Sequence, residues 1–233
     1  MSKGKLEKFA EMETFNNVLQ PGFEEVFKKD YSLKGKWNSE FFKNSNPITI
    51  ELGCGKGEYT IGLAQRYPDR NFIGVDIKGA RIWKGAKFAN KNNLKNVGFI
   101  RSRIEMINSF FAENEVEEIW ITFPDPQLKK QKKRLTSSRF LKHYREFIKP
   151  GSPIHLKTDN GVLYNYTLSV AKLNNFKIEA ATNDLYNSEL NNEILSIKTY
   201  YENSWLEQNL TSHYICFIIN HEKPIKEPPK EER

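Results

Sequence analysis

Apolar residues along this chain gather into short runs rich in β-branched and aromatic side chains, most of them separated by stretches of helical periodicity. The runs at 48–52, 72–76, 97–100, 118–123 and 153–157 read as strands, and those at 176–180 and 214–219 as two more. Between them, 58–67, 79–92, 104–112, 138–148 and 162–173 read as helices, the fourth closed by the turn signal Lys149-Pro150-Gly151. Strand and helix in alternation predict an α/β fold, with a mostly parallel, seven-stranded sheet and helices on both faces. A polar, partly helical insertion precedes the last strand, and a long connection in a compact fold is often functional. Residues 1–46 read as an N-terminal arm, 47–222 as the folded domain and 223–233 as a loosely held tail.

A chain of 233 residues suits one domain with a full core, and 13% aromatic residues argue against disorder throughout. No apolar run approaches the roughly 20 residues of a membrane helix. The opening Met-Ser-Lys-Gly lacks the apolar stretch of a secretory signal. Cys54 and Cys216 are too few for a disulfide framework or a cysteine zinc site, and His143, His155, His213 and His221 are scattered without ligand spacing. These features predict a cytoplasmic protein with no metal.

Charge changes the picture because it is local. Lys and Arg number 36 against 29 Asp and Glu, a formal net charge of +7. Between Gln127 and Arg145 stand eight basic residues and no acidic one: Lys129, Lys130, Lys132, Lys133, Arg134, Arg139, Lys142 and Arg145. A salt-bridged helix face would interleave acids. The run reads instead as a surface for phosphates, with a plain solvated face as the alternative.

The first strand gives way to Glu51-Leu52-Gly53-Cys54-Gly55-Lys56-Gly57. Alternate glycines let the backbone turn sharply and bring its amides close to a ligand, with a helix starting just behind. Asp76 closes the second strand, about 20 residues on, where a carboxylate can take both hydroxyls of a ribose. A dinucleotide turn would need a third glycine at the position of Glu58, so a nicotinamide-dependent dehydrogenase is disfavoured. The glutamate before G-x-G-x-G resembles the first motif of class I S-adenosylmethionine-dependent methyltransferases. That likeness implies a Rossmann-like fold, S-adenosyl-L-methionine as cofactor, Glu51 near its amino-acid end and Asp76 on its ribose.

The fourth strand runs into Phe123-Pro124-Asp125-Pro126-Gln127-Leu128-Lys129, directly before the basic run. Ligands of open α/β sheets sit beyond the carboxyl ends of strands, so Asp125 is expected to face the crevice of Glu51 and Asp76. Flanking prolines narrow its backbone freedom. With Lys36-Trp37, Asn46-Pro47-Ile48, Thr158-Asp159 and Thr199-Tyr200-Tyr201-Glu202, these segments resemble the bacterial tRNA (guanine-N7-)-methyltransferases from residue 36 to about 217. The resemblance implies Asp125 as the catalytic aspartate. It implies Glu51, Gly53, Gly55, Asp76, Arg103 and Asp125 around the cofactor, and Lys129, Asp159, Thr199 and Glu202 on the substrate. Gln131, Lys132, Lys133, Arg134, Leu135 and Thr136 cover its RNA-contacting stretch. Gln127-Leu128 stands where the family usually has Trp-Pro. Arg103 stands where it usually has an acid or amide, which leaves a backbone contact there.

Guanine N7 carries an in-plane lone pair and no proton, so an in-line attack on a sulfonium methyl needs alignment more than a base. Asp125 is then expected to hold the guanine edge and to steady the positive charge that develops, with Asp159 as a second carboxylate able to grip the same edge. At Thr158-Asp159 a helix N-cap is the plain alternative. The expected partner is tRNA, for a monomer or a homodimer. Two other readings stay open: a methyltransferase of the same fold acting on a small molecule or protein, and a non-catalytic RNA-binding module.

Overall fold

The computed structural model describes residues 4–199, 202 and 211–229. Eight strands form one sheet: β1 (Val18–Leu19), β2 (Ile48–Leu52), β3 (Asn71–Asp76), β4 (Val97–Arg101), β5 (Glu118–Thr122), β6 (Pro153–Thr158), β7 (Lys177–Thr182) and β8 (His213–Ile218). Their spatial order is β1-β4-β3-β2-β5-β6-β8-β7. All neighbours pair parallel except β8, which runs antiparallel to both β6 and β7. The strand order reverses at β2, so the glycine turn after β2 and the loop after β5 open into one crevice.

Strands buried on both faces explain the continuous apolar runs. Ile48, Ile50, Leu52, Ile73 and Val75 face one core, shared with Trp37, Phe110, Phe140 and Phe147. Phe72, Phe99 and Trp120 face the other, beneath Tyr59, Leu63, Ile82 and Ala86. Those last four belong to α3 (Glu58–Arg66) and α4 (Gly79–Lys91), which follow β2 and β3; α5 (Ser138–Arg145) and α6 (Gly161–Leu173) cover the opposite face.

The strand beyond the expected seven lies in the N-terminal segment. Val18 and Leu19 pair with Phe99 and Ile100, and the preceding helix α1 (Lys5–Glu13) packs on α4. A short helix α2 (Phe23–Val26) follows, then a π-helical turn at Trp37–Phe42. Trp37 is wholly buried, stacks on Phe111 at 5.5 Å and donates its indole N–H to the Phe110 carbonyl at 2.8 Å.

That contact explains a difference from the sequence pattern. The expected helix over 104–112 is a 3₁₀ turn, Ile104–Ser109. Its last carbonyls go elsewhere: Ser109 accepts from the Tyr31 amide and Phe110 from Trp37, so the N-terminal segment takes the bonds that would have propagated the helix. The fourth helix likewise stops at Arg145, because Val116 takes the Phe147 carbonyl and returns its own to Lys149. Within residues 223–229, Asn174 bonds both the amide and the carbonyl of Lys226.

Candidate active site

The turn at 53–57 depends on left-handed backbone at Gly53, Gly55 and Gly57, with φ of +79°, +56° and +74°. At Gly57 space adds a second constraint, since a Cβ would lie 2.7 Å from the Phe99 ring. Glu51 lies beneath this turn, 2% exposed. One of its oxygens accepts from the Thr60 amide at 2.8 Å and from the Thr60 hydroxyl, and the other from the Thr122 hydroxyl. Burial pushes the Glu51 carboxyl up to about 7, against these hydrogen bonds, which lower it.

Asp76 is buried at the end of β3, where its carboxylate accepts from the Gly55 amide at 3.0 Å and the Lys78 amide at 2.7 Å. An ionised carboxylate offers about four lone-pair sites, so two stay available to a hydroxyl pair. Gly53, Asp76 and Arg103 line one crevice of about 410 Å³, together with Gln127, Lys130 and Lys133. The volume lies within the usual range for small-ligand sites, and a carboxylate beside a glycine turn suits a ribose. These residues fit a sulfonium nucleoside, and Arg103 stands at the edge of the crevice as its sequence position implies.

Asp125 sits at the exposed tip of the loop after β5 and accepts the Gln127 amide at 2.9 Å. Phe123 and Gln127 on either side both adopt φ of +47°, a strained setting for such residues. Two contacts hold the loop there. The Phe123 amide donates to the Lys157 carbonyl at 2.8 Å, and the Arg134 guanidinium donates to the Pro126 carbonyl at 3.1 Å. Asp125 is not among the residues lining the crevice; Gln127, two positions on, is.

The basic segment divides into an outward and an inward part. Lys129, Lys130, Lys132 and Lys133 are exposed, and Gln131 is half-buried, donating to Glu227 and to the Pro228 carbonyl. Two of the positions expected to meet RNA are buried. Arg134 is 2% exposed and lies over the Tyr166 ring at 4.4 Å. Thr136 is wholly buried and shares a hydrogen bond with Thr167, while Leu135 faces the crevice. The chain must turn inward here to start α5, whose first residue, Ser138, donates its amide to Glu227.

At the end of β6, the cap of α6 is Asn160, whose side chain accepts the Leu163 amide at 3.0 Å. Asp159 is half-buried and is not spent on that cap. Glu202, in contrast, turns fully inward, with its carboxylate 2.8 Å from the Lys157 ammonium. The Tyr186 hydroxyl also donates to it, and Thr199 bonds it through main chain and side chain. The structure thus places Glu202 and Thr199 in a buried anchor, not on a surface open to substrate. Tyr200 and Tyr201 lie outside the described residues.

Lys157 is the member of this anchor that sequence patterning passes over, since it stands inside an apolar run. It is wholly buried and also donates to the Leu195 and Ile197 carbonyls at 2.6 and 3.2 Å. Burial pushes its ammonium below the usual lysine range, and the Glu202 carboxylate pulls the other way. A charged residue in a buried strand calls for a partner, which is the signal that could have found it.

Residues 45–215 match the family described as "Putative methyltransferase". The chain is 50% identical to the tRNA (guanine-N(7)-)-methyltransferase of Bacteroides fragilis, over 98% of this chain and 90% of that protein. It is 51% identical to the protein of the same name from Christiangramia forsetii, over 94% and 99% of the two chains. Among solved structures, a 16S rRNA methyltransferase, KamB, shares the fold with a TM-score of 0.61 at 13% identity, over 78% of this chain and 92% of that one. Fold, crevice and near full-length likeness agree: the chain belongs to the family of tRNA (guanine-N7-)-methyltransferases, built on the class I S-adenosylmethionine-dependent methyltransferase fold.

Proposed function

We propose that this protein transfers the methyl group of S-adenosyl-L-methionine to N7 of a guanosine in the tRNA variable loop, giving 7-methylguanosine. The observation that carries the reading is that Lys130 and Lys133 line the same crevice as Gly53 and Asp76. One cavity thus joins a nucleoside-type wall to a phosphate-type wall. That favours RNA over a small molecule or a protein as the acceptor, and a transferase over a passive RNA-binding module.

When bound, the sulfonium nucleoside supplies an electrophilic methyl group. Asp76 takes the ribose hydroxyls, the backbone at Arg103 meets the adenine, and Glu51 with the glycine turn supports the amino-acid end. Asp125, on a loop fixed by Pro124, Pro126 and Arg134, meets the edge of the incoming guanine. Its fixed negative charge offsets the positive charge that N7 acquires, and no proton has to be removed for the attack. Positioning of this kind supplies about 7–11 kcal/mol in well-aligned reactions. Asp159 and Lys129 bind the substrate, and Lys132 and Lys133 neutralise its phosphates. The setting that supplies tRNA is the cytoplasm.

The test is incubation of the protein with radiolabelled S-adenosylmethionine and bulk tRNA, followed by nucleoside analysis. Label in 7-methylguanosine is the expected result. Label confined to another nucleoside, or to small molecules, overturns the reading.

A further inference from the structure

Behind the glycine turn lies a second cleft of about 420 Å³, between α3 and α4. Its depth follows from Gly85, where a Cβ would sit 2.6 Å from the Lys56 carbonyl and 3.2 Å from the Gly57 Cα. A larger residue would push the two helices apart. The wall includes Ile61, Gly62 and Phe88, and Phe88 is 43% exposed despite its size. The rim carries Lys56, Lys84, Lys87 and Lys91 against one acid, Glu58. Lys87 is paired with Glu11 at 2.8 Å, while Lys84 and Lys91 are exposed along the same rim.

This charge belongs to a pattern. From Lys78 to Lys95 the sequence holds six basic residues, Lys78, Arg81, Lys84, Lys87, Lys91 and Lys95, and no acidic one. Spacings of three and four place most of them along one side of α4, a track of about 20 Å between Lys78 and Lys91. Burial pushes the Lys56 ammonium below its usual range, the Glu58 carboxylate opposes this, and Lys84 and Arg81 add to it. Lys84 and Arg81 therefore stand within electrostatic reach of Lys56. The track also meets the crevice already described, because Asp76, which lines that crevice, binds the Lys78 amide at the start of α4.

We propose that the α3–α4 cleft is a second contact site for the RNA substrate, with its phosphates at Lys84 and Lys91 and one unstacked base against Phe88. The inference rests on the RNA reading above and extends it. The tRNA would then be gripped on both sides of the crevice, by the segment around Lys132 on one side and by α4 on the other. Exposed lysines neutralise backbone phosphates without sequence preference, and an exposed aromatic ring gives a base a sequence-tolerant platform.

The experiment compares full-length tRNA binding by the intact protein and by the Lys84→Gln/Lys91→Gln variant across a series of salt concentrations. The slope of log affinity against log salt is expected to fall by roughly 1.4 to 1.8, about 0.7–0.9 for each lost phosphate contact. Affinity for S-adenosylmethionine and the rate at saturating tRNA are expected to stay unchanged, since neither lysine lines the crevice. Phe88→Ala is expected to weaken tRNA binding about tenfold with the slope retained. An unchanged slope and affinity in the double variant, with methylation intact, overturns the second site and leaves the proposed function standing. A slope that is unchanged while self-association is lost assigns the cleft to a second copy of the chain and likewise overturns the proposal. A reduced slope in a protein that forms no 7-methylguanosine supports the cleft and overturns the reaction instead.

Discussion

The Arg134 guanidinium donates to the Pro126 carbonyl at 3.1 Å while lying 4.4 Å over the Tyr166 ring, so the loop that carries Asp125 is held from below by a buried cation. In sequence Arg134 is the last of a tight basic cluster; in space it supports the loop after β5. Arg134→Gln is therefore expected to lower the turnover number at least tenfold and to leave the salt dependence of tRNA binding nearly unchanged. Lys132→Gln/Lys133→Gln is expected to do the opposite to binding, reducing the slope by roughly 1.4 to 1.8, about 0.7–0.9 per lost phosphate contact. Filter binding at several salt concentrations beside single-turnover kinetics separates the two.

Asp125→Asn keeps the shape of the loop and removes its charge. The expected loss is about 10²–10³ in turnover, the scale seen when a preorganised electrostatic partner of a transition state is removed. Asp76 and the glycine turn stay in place, so the dissociation constant for S-adenosylmethionine should hold. Equal turnover in the variant would remove Asp125 from the chemistry.

Glu51 sets a pH dependence. Its folded value of about 7 lies above the ordinary 4.5, so the folded state binds the proton more tightly than the unfolded chain. The stabilisation is fully present below about pH 4.5 and is lost as pH rises through 7. In total it amounts to roughly 3 kcal/mol. Urea unfolding of the unliganded protein should show that decline, and Glu51→Gln should flatten it. A cationic amino group bound near Glu51 favours the charged form, so cofactor binding near pH 6.5 is expected to release protons, seen in calorimetry as a heat that varies with the buffer.

Lys157 and Glu202 form a buried pair 2.8 Å apart, joining β6 to the segment that follows β7. Breaking such a pair from one side typically costs about 3–5 kcal/mol, because the remaining charge stays buried. Lys157→Met should destabilise on that scale, and Lys157→Met/Glu202→Gln should recover much of the loss in thermal unfolding. If Glu202→Gln alone left stability unchanged but weakened guanosine binding, Glu202 would return to the role of a substrate contact.

Much of this architecture is legible along the chain. Strands β2 to β6, with α3 and α4 between the first three, follow from apolar runs buried on both faces and from glycine and proline punctuation, which are local properties. The glycine turn and Asp76 were placed by spacing alone, because a strand of five or six residues has a fixed length and its end is the mouth of the sheet. Val18-Leu19 was not legible as a strand, since two residues carry no periodicity and pair only because β4 offers an edge.

The sequence by itself determined the fold class, the position of the exposed lysines after β5 and the acids at the strand ends. Only the tertiary structure decided which charges stay outside. Arg134 and Glu202 look like neighbours of substrate when read in order, yet both are buried because Tyr166 and Lys157, far along the chain from them, supply the partners that make burial tolerable. A charge enters the interior only where such a partner waits, and the folded chain alone brings the two together.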